Sequence, residues 1–396
     1  MLAILWTLYQ PIATSQCSEG AGYMASNNNS KIISDAHPHT VKKFELIETY
    51  IKSWAQKLML TDSCSGIVFI DCMCNSGVYQ DDDKNIVNGT PIRVAEALLD
   101  VARTYPDKQV HLFFNDNNAD KIEELKKHLP EEERNYKIVT TVRDGNELLK
   151  WIGTQLKESS HMHFFLLYDP YDASIDWDAL LPFFKNWGEV LINHMVSDSI
   201  RAISQVKKEE TKKKYEGTYQ VDSISDLVPY GSDKAAYEKR VLEIIDKMKG
   251  SATRKYYIGT FPCFNTRNSL VYDLVHCTSH EKGFKLFKST AWKTFGDKSS
   301  TKNRHGEENQ LTFDFFGTGV FKPSVDEYCY DLNSIAIYLH ENFRGIKDVP
   351  LSDVWAALDE HPVFPSDGYK NDLKQILKHD FGADISRKTI TFSNGR

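Results

Sequence analysis

A doubly wound α/β fold, Rossmann-like in its alternation of strand and helix, is predicted for this chain by three observations. Apolar runs rich in β-branched residues alternate five times with amphipathic stretches between residues 66 and 193. The runs are nearly continuous, as in strands buried on both faces of a parallel sheet. Polar, acid-bearing loops follow them, at the carboxyl ends where open α/β sheets bind ligands.

Phe44, Ile47, Ile51, Trp54 and Leu58 recur at spacings of three and four and predict an amphipathic helix from His39 to Leu58, with Thr40 as its N-cap. The run GIVFIDC predicts the first strand, Gly66 to Cys72, followed by a polar loop from Asn75 to Asn88. Thr90 as N-cap and Pro91 at the first turn open a helix to Arg103. Val110 to Asn115, Lys137 to Val142, His163 to Asp169 and Glu189 to Asn193 are the remaining strands. Helices over Asp120 to Leu129, Glu147 to Lys157 and Trp177 to Trp187 separate them.

Downstream, Lys207 to Lys214 reads as a solvated helix face, and Ala235 to Lys249 as an amphipathic helix. Lys255 to Phe261 and Leu270 to Cys277 predict a strand pair that completes the sheet in antiparallel fashion, and Gly283 to Thr294 is helical. The chain then turns glycine-, serine- and lysine-rich. Helices at Leu332 to Asn342, Leu351 to Leu358 and Tyr369 to Phe381 precede a strand at Thr389 to Phe392, an order that fits a small winged-helix-like module. The expected division is a tail over 1–30, an α/β domain over 31–295, a linker over 296–325 and the module over 326–396.

A chain of 396 residues has room for such a division. Its net charge of -7 argues against attachment to nucleic acid by bulk charge, but leaves room for a local basic groove. Seven scattered cysteines give no disulfide framework and no zinc spacing, so a reducing cytoplasm is expected. No apolar run reaches membrane-span length. The opening MLAILWTLYQPIATS lacks a basic start, so 1–23 reads as an upstream extension or tail rather than a signal peptide. His161 and His163 alternate on one strand face, but no further ligand cluster accompanies them, so no metal is expected.

The strand-end residues carry the chemistry. Asp71-Cys72-Met73-Cys74-Asn75-Ser76-Gly77 is an acid followed by a tight turn, with Asn75 and Gly77 best able to take positive φ. Neither GxGxxG nor GxxxxGK[ST] is present, so a phosphate-cradling loop is not supported. Asp116 ends the second strand, where two carboxylate oxygens match the vicinal diol of a ribose. Asp144 follows the third, where an adenine amino group can be read. Capping the next helix is the commoner role for Asp116, Asn117 or Asn118, and can coexist with ribose binding, while Asp144 taken alone reads as an ordinary turn acid before Gly145. Asp169-Pro170-Tyr171 ends the fourth: an acceptor for an amino group, a stiffened turn and a ring able to stack on a planar base. It resembles the Asp-Pro-Pro-Tyr corner of amino-group methyltransferases with one proline missing. No nucleophile elbow or nucleophile–His pair is evident.

Taken together, FIDCMCNSGVY, Gly89-Thr90-Pro91, YDPYD, Asn193 with Arg201, and Thr278-Ser279-His280 to Gly283 resemble blocks of the three-Cys-motif partner (TcmP) family. So do His39-Thr40, Lys43 and Tyr50 to Trp54 of the entry helix. The likeness spans residues 37 to 295. It implies a class I methyltransferase type of Rossmann fold with S-adenosylmethionine as cofactor. Asp71, Cys72, Asn75, Gly77, Asp116 and Asp144 would then form the cofactor site, and Asp169, Pro170 and Tyr171 the reaction corner. It also implies a partner, a radical-SAM-like three-Cys-motif protein of the phage Gp37/Gp68 type. Cys72, Cys74 and Asn75 stand where the family has small residues or glycine, Met73 where it favours Phe, Asp172 where it often has glycine, and Phe44 where the entry helix often has His. The expected function is methyl transfer, with a nucleic-acid base amino group as a candidate acceptor. The alternatives are a scaffold that keeps the fold without catalysis, and another Rossmann-type nucleotide-binding enzyme.

Overall fold

The computed structural model describes residues 31–156, 161–186, 188–249, 255–303 and 328–394. The expectations for the tail over 1–30, for most of the linker over 296–325 and for helix ends at Lys157 and Trp187 lie outside the described residues.

Seven strands form one sheet: β2 (Gly66–Asp71), β5 (Gln109–Asp116), β6 (Tyr136–Val142), β7 (Met162–Tyr168), β8 (Gly188–His194), β9 (Tyr257–Phe264) and β10 (Leu270–Thr278). Their order is β6-β5-β2-β7-β8-β10-β9. The first five are parallel, and β10 pairs antiparallel to both β8 and β9. Counted by strand along the chain, this is 3-2-1-4-5 extended by an antiparallel hairpin. Every residue of β2 is buried, which is why its sequence shows no alternation.

Helices α1 (Pro38–Met59) and α2 (Thr90–Thr104) cover one face, and their apolar sides share a core with β2, β5 and β10. Helices α3 (Ala119–Lys126), α4 (Gly145–Gln155), α5 (Trp177–Phe184), α6 (Val196–Gln205), α7 (Glu209–Tyr219) and α8 (Lys234–Lys249) follow in order, and all but α3 pack into the core of the opposite face. The chain order reverses between β2 and β7, so the crevice at their carboxyl ends is the switch point where such folds bind ligands.

Three expectations are corrected. Helix α1 begins at Pro38, and its N-cap is His37, not Thr40. Proline confines the preceding residue to extended backbone, and its missing N–H costs nothing at the first helical position. Helix α2 is capped by Gly89, not Thr90, and a Cβ at Gly89 would stand 2.3 Å from the Tyr79 ring. The polar segment from Asn75 to Asn88 is no simple loop. It carries a hairpin, β3 (Val78–Gln80) and β4 (Ile86–Asn88), and β3 pairs in parallel with β1 (Ser34–Asp35). Asp81 accepts the Asn85 N–H at 2.8 Å and Lys84 takes φ 69° to close the turn.

After β10, α9 (Glu281–Thr294) returns to the first face. The chain then forms α10 (Leu332–Phe343), β11 (Val349–Pro350), α11 (Leu351–Glu360), α12 (Lys370–His379), β12 (Asp384–Ile385) and β13 (Thr389–Thr391). The three short strands make an antiparallel sheet ordered β11-β13-β12. This unit is docked on α9. Buried Lys288 donates to the carbonyls of Leu358, Asp359 and His361 at 2.7, 3.1 and 2.7 Å. Trp292 Nε1 donates to the Val363 carbonyl at 3.0 Å. Apolar residues of both units form one continuous core. No helix among the described residues is long and apolar enough to cross a membrane.

Candidate active site

Because β7, β2 and β5 are neighbours in register, their carboxyl ends bring Asp169, Asp71 and Asp116 to one edge of the sheet. Asp71 is buried and accepts the Met73 N–H at 3.2 Å. Burial, and then the nearby Asp169 carboxylate, push its pKa up to about 8. The turn beyond it has the predicted shape: Asn75 at φ 60° and Gly77 at φ 70°. Asn75 Oδ1 accepts the Ser76 N–H at 2.8 Å, and its Nδ2 donates to Ser34 Oγ at 3.0 Å, tying the loop to β1. A Cβ at Gly77 would approach Leu125 Cδ1 to 2.6 Å, so glycine is required there for space as well as for φ. Cys72 is buried, its thiol held protonated by burial, and its carbonyl accepts from Asn115 Nδ2 at 2.9 Å.

Asp116 is 0% exposed. Its Oδ1 accepts the Asn118 N–H at 2.9 Å; its Oδ2 accepts the Asn75 N–H at 3.0 Å and the Tyr171 hydroxyl. The carboxylate thus stitches the first loop to the second. The α3 N-cap itself is Asn118, whose side chain accepts the Asp120 N–H at 2.9 Å. Asp144 takes the capping role, accepting the Glu147 N–H at 2.9 Å at the start of α4, and is exposed.

At the reaction corner, Asp169 accepts from Lys43 Nζ at 2.6 Å and from Asn193 Nδ2 at 2.5 Å. Pro170 is buried, while the Tyr171 ring is 38% exposed and lies 4.6 Å from Lys121 Nζ. Asp172 turns away to Lys214 and Ser174; burial works against its carboxylate, but these two partners outweigh it and hold its pKa low. Asp71, Cys72, Asn75, Gly77, Asp116, Asp169, Pro170 and Tyr171 therefore meet at one edge, with Asp144 at its margin.

Sequence reasoning missed Lys121, which is 1% exposed beneath Tyr171, and gave Lys43 no chemical role. Lys43 falls on the buried face of α1, one turn before Ile47, and a lysine in an apolar stripe was the available signal. Lys121 lies one position before Ile122 on α3 and gave no comparable signal. Among the described residues, cavities of about 580, 490 and 630 Å³ lie elsewhere. The first, lined by His37, His39, Ser197, Arg201, Asn265 and Arg267 among others, flanks the corner. His39 stands one turn before Lys43 on α1, and Ser197 four residues after Asn193. Burial, then the neighbouring His37 and Lys43 charges, lowers the His39 pKa to about 4, so its ring is neutral at pH 7.

No family model matches this chain, and no curated protein matches it. Among solved structures it is similar to a Legionella pneumophila protein at 11% identity and TM-score 0.35, covering 63% of this chain and 92% of that one. A Podospora anserina methyltransferase with bound S-adenosylhomocysteine gives 11% and 0.28, covering 59% and 77%. Human methyltransferase-like protein 13, also in complex with that molecule, gives 9% and 0.29, covering 69% and 97%. At such identities and scores the likeness assigns no activity to this chain.

Proposed function

We propose that this chain is an S-adenosylmethionine-dependent methyltransferase acting on an amino group, with a nucleic-acid base as the acceptor. The observation that carries the reading is the meeting of Asp71, Asp116 and Asp169 at the switch point, beside a tight turn with two left-handed residues. The donor and acceptor set fits the cofactor. Asp116 ends β5, where a carboxylate can pair with a ribose diol, and Asn75 and Gly77 take the positive φ of a tight turn beside it. When bound, S-adenosylmethionine supplies an electrophilic methyl carbon; the protein's work is orientation and electrostatics.

Asp169 is placed for that work. Lys43 and Asn193 fix its carboxylate, which keeps lone pairs free to accept from an amino N–H and to draw off its proton. The side chain is 26% exposed, so an acceptor can reach it. Arg201 and Arg267 on the flanking cavity suit the phosphates beside an extruded base. The three-Cys-motif partner implied by the sequence resemblance belongs to this reading, and the order of helices and strands in 328–394 supports a winged-helix-like role for that unit.

A second reading is a scaffold that retains the fold and binds the same partner without catalysis. The burial of Asp116 favours it. Methyl-labelled S-adenosylmethionine incubated with single-stranded oligonucleotides separates the two. The proposal expects label in the nucleic acid, reduced at least about a hundredfold in Asp169→Ala, the scale of a lost proton acceptor. Absence of label from nucleic acid and from copurified partner alike would favour the scaffold.

A further inference from the structure

The carboxylate placed to hold a ribose is closed off in this structure, and its three donors differ in kind. Asn75 and Asn118 reach Asp116 through main-chain N–H groups. Both are fixed, the first by the turn after β2 and the second by the N-terminus of α3. Only the Tyr171 hydroxyl comes from a side chain, and that residue is 38% exposed. The turn that carries it is pinned on either side. Pro170 is buried before it, and Asp172 is bound to Ser174 and Lys214 after it. The Tyr171 side chain can therefore swing away by rotation about its own bonds with the backbone in place.

We infer that Tyr171 is a gate on the cofactor site: its hydroxyl occupies the position on Asp116 that a ribose diol takes, and cofactor entry displaces it. The inference rests on the methyltransferase reading. The exchange replaces one O–H···carboxylate bond by another, so its cost in hydrogen bonding is small. What it changes is the ring. With the hydroxyl on Asp116, the ring lies over Lys121 and covers the carboxylate. Released, the ring has its face free two residues from Asp169, where a planar acceptor presenting an amino group would need a stacking partner. One side chain thus links the two half-sites, and it imposes an order: cofactor first, acceptor second. Tyr171 acts on the cofactor through Asp116 and is a positioning residue in that role.

The test is calorimetric titration of S-adenosylhomocysteine, adenosine and 2′-deoxyadenosine into the wild-type chain and into Tyr171→Phe and Tyr171→Ala. Tyr171 is partly exposed, so both variants are expected to fold, and their melting temperatures verify it. The gate predicts that Tyr171→Phe binds S-adenosylhomocysteine roughly five- to tenfold more tightly, because a competing hydrogen bond to a charged group is gone. It predicts the same gain for adenosine and a smaller one for the 2′-deoxy compound, which lacks the diol. Measurable binding to the wild type that is equal or weaker in Tyr171→Phe would overturn the gate and leave the methyltransferase reading standing. No binding by any of the three folded proteins would overturn that reading and the gate with it.

Discussion

At the scale of single residues, the site is a set of carboxylates sharing one edge of the sheet, and their proximity has a measurable cost. Asp71, buried and near Asp169, has a folded-state pKa of about 8 against 3.8 for the free group. The folded protein therefore holds this proton more tightly than the unfolded chain does. The stabilisation is full below pH 4 and is lost as pH rises through 8. Asp71→Asn keeps the shape without the charge. It should flatten this loss, so that the melting temperature of the variant gains on the wild type between pH 5 and pH 8. A constant difference across that range would show that Asp71 is ionised throughout. The identities of the strand-end residues were legible in the sequence, because each apolar run ends on one. Their partnerships were not. Lys43 meets Asp169 across 126 positions and Tyr171 meets Asp116 across 55. No local pattern encodes such pairs.

At the scale of elements, strands were easier to read than the turns between them. Runs such as HFFLLYD are buried on both faces and announce themselves by continuity. The hairpin of β3 and β4 did not, because its strands have three residues each, and β3 pairs with a two-residue strand 45 positions earlier, too short to carry a periodicity. The caps of α1 and α2 slipped, by three residues and by one, for a definite reason. Pro38 and Gly89 set them by backbone restriction and close packing, against the side-chain capping that Thr40 and Thr90 suggested. The join between α9 and α11 depends on Lys288, whose three donated bonds satisfy the last carbonyls of α11 and the chain just beyond it. Lys288→Met removes the donor to the Asp359 and His361 carbonyls and leaves Leu358 only the His361 N–H, at 3.1 Å. It should cost about 3 kcal/mol in chemical denaturation and make 328–394 the first region cut in limited proteolysis. A midpoint unchanged from wild type would show that the apolar contacts alone hold the join.

At the scale of the molecule, the sheet and the C-terminal unit share one core. The sequence suggested a linker between separate modules; packing supplies the cohesion that composition does not reveal. The same fold that buries Asp116 also raises the question on which the account turns, whether the edge of the sheet still admits a nucleoside cofactor. The most direct measurement is calorimetric titration of S-adenosylmethionine into the intact chain, with Asp116→Ala as control and melting curves to verify folding. The account predicts micromolar binding that is lost in the variant. No binding by folded wild-type protein, or binding that Asp116→Ala leaves intact, would contradict it.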